Sequence, residues 1–549
     1  MAQQTDTGAV TQAAAGGVLL TLASAQFLMT LDSSVMNVSM ATVAEDLGTT
    51  ITGIQTAITL YTLVMATLMI TGGKIGSLIG RRRAFAIGCV VYGAGSLVTG
   101  LAPNLTVLIV GWSFLEGMGA ALILPAVVAL VAGNFAPSGR PRAYGLIAAA
   151  GAIAVAAGPL IGGAATTYAS WRWVFYGEVI VVVGILGLSR KMADTPVESK
   201  ARLDLVGTLL SVLGLGMFVY GVLRSSEWGW LNAREGQPSI AGISMTFWLM
   251  AAGLLVVWLF LLWEGHLVRA GREPLVRPQM FRISQLNGGL LMFFFQFLLQ
   301  AGIFFVIPLY LSVDLALSAM ATGVRLMPLS IALLISALGV PRLWPSTSPR
   351  RIVRIGLLLM VGGIITLFTG ITLDSGAAVV TIPLVLVGLG IGALASQLGA
   401  VTVSSVPTEQ SGEVGGLQNT ATNLGASLGT ALAGSMLISV LTASLIAGIR
   451  DNPQVPDSVK SQASVQLAAG VPFLSDAQAQ AALTEAGVPA DVTTAIVDAN
   501  KQARVDGLDS ALAVMALVGF IALFFTGRIP DRQPAGDDLP ADAEAGAAP

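Results

Sequence analysis

The stretch ITLYTLVMATLMITGGKIGSLIGRRRAFAIGCVVYGAGSLVTGLA, residues 58–102, decides the fold. It holds two apolar runs separated by a glycine-rich turn that closes on Arg81, Arg82 and Arg83. A membrane-spanning helix needs about 20 mostly apolar residues, and each run approaches that length. The same alternation continues in both directions. Apolar runs lie at 17–41, 54–73, 84–102, 105–128, 142–168, 172–189, 204–223, 244–263, 286–313, 322–340, 352–373, 377–398, 418–447 and 507–526, which predicts fourteen spans. Only 11% of the 549 residues are charged and 54% are hydrophobic, against about 25% charged in soluble domains. Lipid must therefore solvate most of this chain, which reads as an all-α polytopic membrane protein.

Lysine and arginine set its orientation, because they accumulate in cytoplasmic loops. One set of connections carries Arg81–Arg83, Arg140, Arg142, Arg190, Lys191, Arg269, Arg272, Arg350, Arg351 and Arg354. The other is mostly short and nearly uncharged, as at Ala102–Asn104. The first set is expected in the cytoplasm, together with both termini, since the span count is even. Two outer connections are larger. Residues 224–243 carry Trp228 and Trp230, which suit a membrane interface. Residues 448–506 should form a small amphipathic hairpin, with Ser475–Asp476 capping a helix through 486 and Val492, Ile496 and Ala499 sharing a face of a second. A gate or a docking site for an extracytoplasmic partner is the alternative reading of 448–506.

The composition also excludes functions. One cysteine, Cys89, rules out an intrachain disulfide. With one histidine, His266, neither a metal site nor a histidine-based catalytic site is expected. No phosphate-binding loop or nucleophile motif occurs, so neither an enzyme nor a cofactor is expected. No basic patch suggests nucleic acid. The first residues lack the charged n-region of a signal peptide, so the first apolar run is expected to stay as a helix.

Several motifs fall in order on these spans. The first span reads Leu31-Asp32-Ser33-Ser34-Val35-Met36-Asn37-Val38, and the turn after the second reads Gly73-Lys74-Ile75-Gly76-Ser77-Leu78-Ile79-Gly80-Arg81-Arg82-Arg83. The fourth holds Glu116-Gly117-Met118-Gly119, the fifth Gly158-Pro159-Leu160-Ile161-Gly162-Gly163, and Ser170-Trp171-Arg172-Trp173 opens the sixth. Gly416-Leu417-Gln418-Asn419-Thr420 lies on the thirteenth. The ordered set resembles the fourteen-helix drug:proton antiporter branch of the major facilitator superfamily. The chain departs from that branch at Ser77, where an acid is usual, at Leu78 and Ser113, where basic residues are usual, and at Glu116, Glu178 and Thr422-Asn423.

The resemblance implies a major facilitator fold, two six-helix halves plus two extra central helices. The halves would be 1–189 and 286–526, with the inserted pair in 190–285 and a disordered cytoplasmic tail over 527–549. It implies a proton-coupled exporter of hydrophobic or cationic small molecules, with export of lipids or lipid-linked envelope molecules as the alternative. Small amphipathic substrates, protons and membrane lipid would be its partners.

Charged side chains inside spans are costly and mark function. Asp32 and Glu116 lie roughly 14 and 17 Å deep by residue count; the resemblance implies that both helices face the cavity, so the two acids are expected to share it and exchange protons. Glu178, roughly 9 Å deep, is the third proton-coupling candidate. The sixth helix is peripheral in the family fold, so pairing of Glu178 with Arg172 is the competing expectation. Asn37, Gln55, Tyr61, Gln296, Gln300, Gln397, Asn419 and Asn423 are candidate substrate-binding residues. Gln296 and Gln300 share a helix face, within a run crowded by Phe293, Phe294, Phe295, Phe297, Phe304 and Phe305. Gly73, Gly80, Arg81, Arg82, Gly158, Pro159, Gly162 and Gly163 are candidate gating or packing residues.

Overall fold

The computed structural model describes residues 12–49, 51–136, 139–194, 203–234, 236–407, 410–457, 459–460 and 473–532. Fourteen helices are long and apolar enough to cross a membrane. They are α1 Gln12–Asp46, α2 Ile51–Ile79, α3 Arg81–Gly100, α4 Leu105–Asn134, α5 Arg140–Tyr168, α6 Arg172–Ser189 and α7 Leu205–Trp228. There follow α8 Met245–Arg269, α9 Ser284–Asp314, α10 Ala319–Leu343, α11 Pro349–Gly370, α12 Thr381–Val403, α13 Ser411–Asp451 and α14 Ala490–Phe525. All fourteen predicted spans are present. The helix starts are locally encoded: Asp204, Ser244, Ser318 and Ser348 accept backbone N–H groups at the first turns of α7, α8, α10 and α11. The chain is not wholly helical, since Ser239–Ile240 and Ile243–Ser244 pair as a two-stranded hairpin between α7 and α8.

Helix α1 to α6 form one half and α9 to α14 the other. Small residues bring their helices close, as lipid-solvated packing favours. A Cβ added at Gly425 or Gly429 of α13 would lie 2.2 or 2.1 Å from carbonyl oxygens of Phe294 and Leu298 on α9. On α5, Gly158 and Gly162 receive Ser34 and Val35 of α1. Gly163 differs from expectation: nothing lies within 4 Å of its added Cβ. The side chain of Pro159 lies outside the described residues.

The halves meet near the arginine-rich face. A Cβ on Gly73 of α2 would stand 2.4 Å from the Gly412 carbonyl of α13, one on Gly415 2.8 Å from Pro125 O, and one on Gly145 2.6 Å from Ala337 O. The inserted α7 covers the seam between α2 and α13: Ile70, Leu215, Phe260, Leu275, Val276 and Leu417 form one buried cluster there. At the opposite face, Trp230 after α7 donates to Ser435 of α13 at 2.8 Å.

The segment 448–506, expected outside the cell, is not a separate hairpin. Helix α13 runs on to Asp451, and the stretch beginning near Asp491 is the first part of α14 itself. Helix α13 is longer than a bilayer core needs, since 41 residues at 1.5 Å per residue make roughly 60 Å against a core of about 30 Å. Between α13 and α14 a short helix, Asp476–Glu485, starts in a capping box of Ser475 and Gln478, as predicted. Val492 and Ile496 are buried in the same core as α9. Arg504 of α14 is fully buried and holds the segment down. It pairs with Asp314 of α9 at 2.8 Å and Asp476 at 2.6 Å, and donates to Leu474 O at 2.8 Å. The start of the tail is likewise ordered. Ile529 is buried, and Arg350 donates to its carbonyl at 2.7 Å and pairs with Asp531. Residues 533–549 lie outside the described residues.

Candidate functional site

Helices α1, α4 and α6 bring Asp32, Glu116 and Glu178 together inside the N-terminal half. One carboxylate oxygen of each lies within 4.8 Å of the others. All three residues are essentially unexposed, at 0, 0 and 2%. Among the described residues no lysine, arginine or histidine pairs with them. Three ionised carboxyls so placed would repel by about 3.5 kcal/mol per pair at an effective dielectric of about 20, so the cluster needs bound protons or a cation.

Its neighbours are hydrogen-bond donors. The Trp112 indole donates to both oxygens of Asp32, at 2.8 and 3.0 Å, and stacks on Tyr61 at 4.9 Å with parallel planes. Ser96 donates to Glu178 at 2.9 Å. Thr99 stands 3.0 Å from Glu116, and its hydroxyl also reaches Gly95 O at 2.8 Å. The Tyr92 hydroxyl faces Asp32 and Glu178 without closing a hydrogen bond. One oxygen of each glutamate and the Tyr61 hydroxyl are also buried without a partner. The oxygens could surround a hard cation, since calcium–oxygen distances are about 2.3–2.6 Å. The donors aimed at the carboxylates instead suit anions sharing protons.

Local structure explains the assembly. Residues Ile109–Glu116 form a π-helical stretch of α4 that buries Trp112, Ser113 and Glu116 together; such wide turns recur at functional sites. Gly95 makes the room, because a Cβ there would lie 2.6 Å from Glu116 Cγ. Tyr92, Ser96 and Thr99 recur at helical spacing along the buried face of α3.

Two expectations change. Glu178 does not pair with Arg172. That arginine pairs with Asp46 and donates to Ala102 O at 2.8 Å, while Glu178 lies on the buried stripe of α6 with Val174, Phe175, Val182 and Ile185. Asp32 and Glu116 sit within the half itself, behind Trp112. Tyr61, read as a substrate residue, belongs to this cluster. The other polar candidates do not converge on it. Gln296 is buried with Oε1 unpartnered, Gln300 also has an unpartnered Oε1, and Gln397 donates to Ser396 at 3.2 Å. Asn419 and Asn423 donate to carbonyls of their own helix. The side chains of Asn37 and Gln55 lie outside the described residues.

A second charged site joins the halves. Lys74 of α2 is 1% exposed and stands 3.4 Å from both Glu413 of α13 and Glu273 of the α8–α9 connection. Nearby, Gly80 adopts φ +99°, where glycine is favoured. Arg82 N–H donates to Asp194 at 3.1 Å, and its guanidinium to Arg190 O and Met192 O. Asp194 thus stands at a turn where Ser77 supplies no acid. Arg81 is buried. Lys74, Glu413 and Asp194 were missed in the sequence, as were Trp112, Tyr92, Ser96 and Thr99.

The chain matches the family model of the Major Facilitator Superfamily over residues 22–430. The chain belongs to the Major Facilitator Superfamily. It is a multi-pass membrane transporter, not an enzyme. It is 32% identical to the puromycin resistance protein of Streptomyces alboniger, over 80% of this chain and 84% of that one. It is 29% identical to the tetracenomycin C resistance and export protein of Streptomyces glaucescens, over 77% and 76%. Among solved structures, the proton:xylose symporter XylE shares the fold with a TM-score of 0.59 at 13% identity, covering 97% of this transporter and 99% of that chain.

Proposed function

We propose that this transporter is a proton-coupled exporter of hydrophobic or cationic small molecules across the cell membrane. The observation that carries the reading is the buried Asp32–Glu116–Glu178 cluster, without a basic partner among the described residues. A desolvated acid can take a proton at one face and release it when water arrives from the other. The named resistance and export functions of its relatives support the direction and the substrate class. Lysine and arginine asymmetry supports cytoplasmic termini, with Arg81–Arg83 inside and 448–506 outside. On that topology the Lys74–Glu413–Glu273 contact and the Gly73–Gly412 approach close the cytoplasmic end, and substrate reaches the bundle when they part. Gln296, Gln300, Gln397, Asn419 and Asn423 are the polar groups proposed to face it then. The features that suggested lipid export favour packing here: Phe293 and Phe295 are buried in the C-terminal core, and the outer segment is clamped to the same half by Arg504. The test is efflux of lipophilic dyes, cationic and neutral, from proteoliposomes under an imposed pH gradient. Gradient-driven efflux lost in Asp32→Asn is expected; efflux indifferent to the gradient would remove proton coupling.

A further inference from the structure

The hydrogen-bond inventory of the acid cluster distinguishes its three members. Trp112 N–H is donor-only and bridges both oxygens of Asp32, the arrangement a delocalised carboxylate accepts. Glu116 is different. Thr99 has one hydroxyl hydrogen, and it is shared between Gly95 O at 2.8 Å and Glu116 Oε1 at 3.0 Å. The other oxygen of Glu116, Oε2, is buried without a partner. Glu178 accepts from Ser96 on Oε2, and its Oε1 is buried without a partner. A buried anionic oxygen with no donor is costly, whereas a protonated one can turn toward the unpartnered Tyr92 hydroxyl. The facing groups are Tyr61 of α2, Tyr92, Ser96 and Thr99 of α3, and Trp112 of α4, with no cationic side chain among the described residues.

We propose that the cluster stores two protons, one on Glu116 and one on Glu178, while Trp112 holds Asp32 as the ionised member. This rests on reading the cluster as the proton site. It adds a stoichiometry: Asp32 carries the standing negative charge, and the cluster holds two exchangeable protons. Trp112 is a positioning residue, acting through Asp32.

Infrared difference spectroscopy of the purified full-length protein in lipid, in H2O and D2O at neutral pH, reads protonated carboxyls without any substrate. Two protonated-carboxyl bands from the cluster are expected. Glu116→Gln and Glu178→Gln should each remove one. Thr99→Val and Ser96→Ala, which keep the acids and the fold, should each shift one band without removing it. Trp112→Phe should add a third band, as Asp32 loses its donor and takes a proton. Two bands that persist in both glutamine variants, or that neither hydroxyl variant shifts, would overturn the assignment. So would loss of both bands on adding calcium chloride, because the cluster would then be a metal site. The test separates from the transport assay. Two bands without gradient-driven efflux leave the assignment standing and remove proton coupling; coupling without either band removes the assignment.

Discussion

Two glycines one half-turn apart on α3 face different neighbours. A Cβ at Gly95 would meet Glu116 Cγ at 2.6 Å and backbone atoms at 2.8 Å, whereas one at Gly93 would meet only Val182 side-chain atoms, from 3.1 Å. Backbone cannot yield as a side-chain tip can. Gly95→Ala should therefore reduce dye efflux at least about tenfold, the scale of about 1.4 kcal/mol on a barrier, while Gly93→Ala stays within about twofold. Efflux normalised to membrane abundance distinguishes them. At this scale the sequence was only partly legible. Asp32, Glu116 and Glu178 stand out because acids are rare in spans. Their convergence did not, because depth by residue count locates backbone, and a difference of about one helical turn, 5.4 Å, is bridged by long side chains. The buried stripe of α6 around Glu178 was the available signal. For Tyr92, Ser96 and Thr99 it was hydroxyls at helical spacing in an apolar run.

Between elements, close approaches and ion pairs carry separate predictions. Gly162 lies against α1, with Val35 Cα 3.2 Å from an added Cβ. Gly162→Leu should force α5 from α1 and abolish efflux in a protein that still inserts; normal efflux would mean the helices can part freely. Between the C-terminal end of α1 and the N-terminal end of α6, Asp46 pairs with Arg172 and accepts from Trp171 at 3.1 Å. The hydrogen bond from Arg172 holds the Asp46 carboxyl below its usual range. Its folded value is depressed, so its stabilisation is fully present above the ordinary aspartate value of about 3.9 and is lost as pH falls through the lower folded value. Asp46 is 43% exposed, so Asp46→Asn should cost at most about 1 kcal/mol, and the difference in thermal unfolding should vanish in acid. Arg504 is another case. Arg504→Met would leave Asp314, 7% exposed, without its partner at a cost of about 3 kcal/mol, read as protease sensitivity of the outer segment. The elements were largely legible, down to the cap at Ser475. The continuity of the outer segment with α13 and α14 was not, because its amphipathic pattern resembles that of a detached surface helix.

At the scale of the molecule, fourteen apolar runs and an ordered motif set carried the fold through the sequence. The contacts between halves were hidden, because Lys74 and Glu413 lie 339 positions apart and only the fold brings them together. If that contact closes the cytoplasmic end, Glu413→Gln should weaken the tie between Lys74 and α13 and shift the transporter toward inward opening. Higher reactivity of a cysteine introduced at Thr420, in a Cys89→Ser background, would report it; unchanged reactivity would mean the pair only packs. The central claim is that the buried acids couple transport to protons. Its most direct test is uphill efflux by the purified transporter in proteoliposomes under a pH gradient, comparing wild type with the double variant Asp32→Asn, Glu116→Gln. The double variant is expected to lose gradient-driven efflux while remaining folded in the membrane. Uphill efflux by the double variant at the wild-type rate would contradict it.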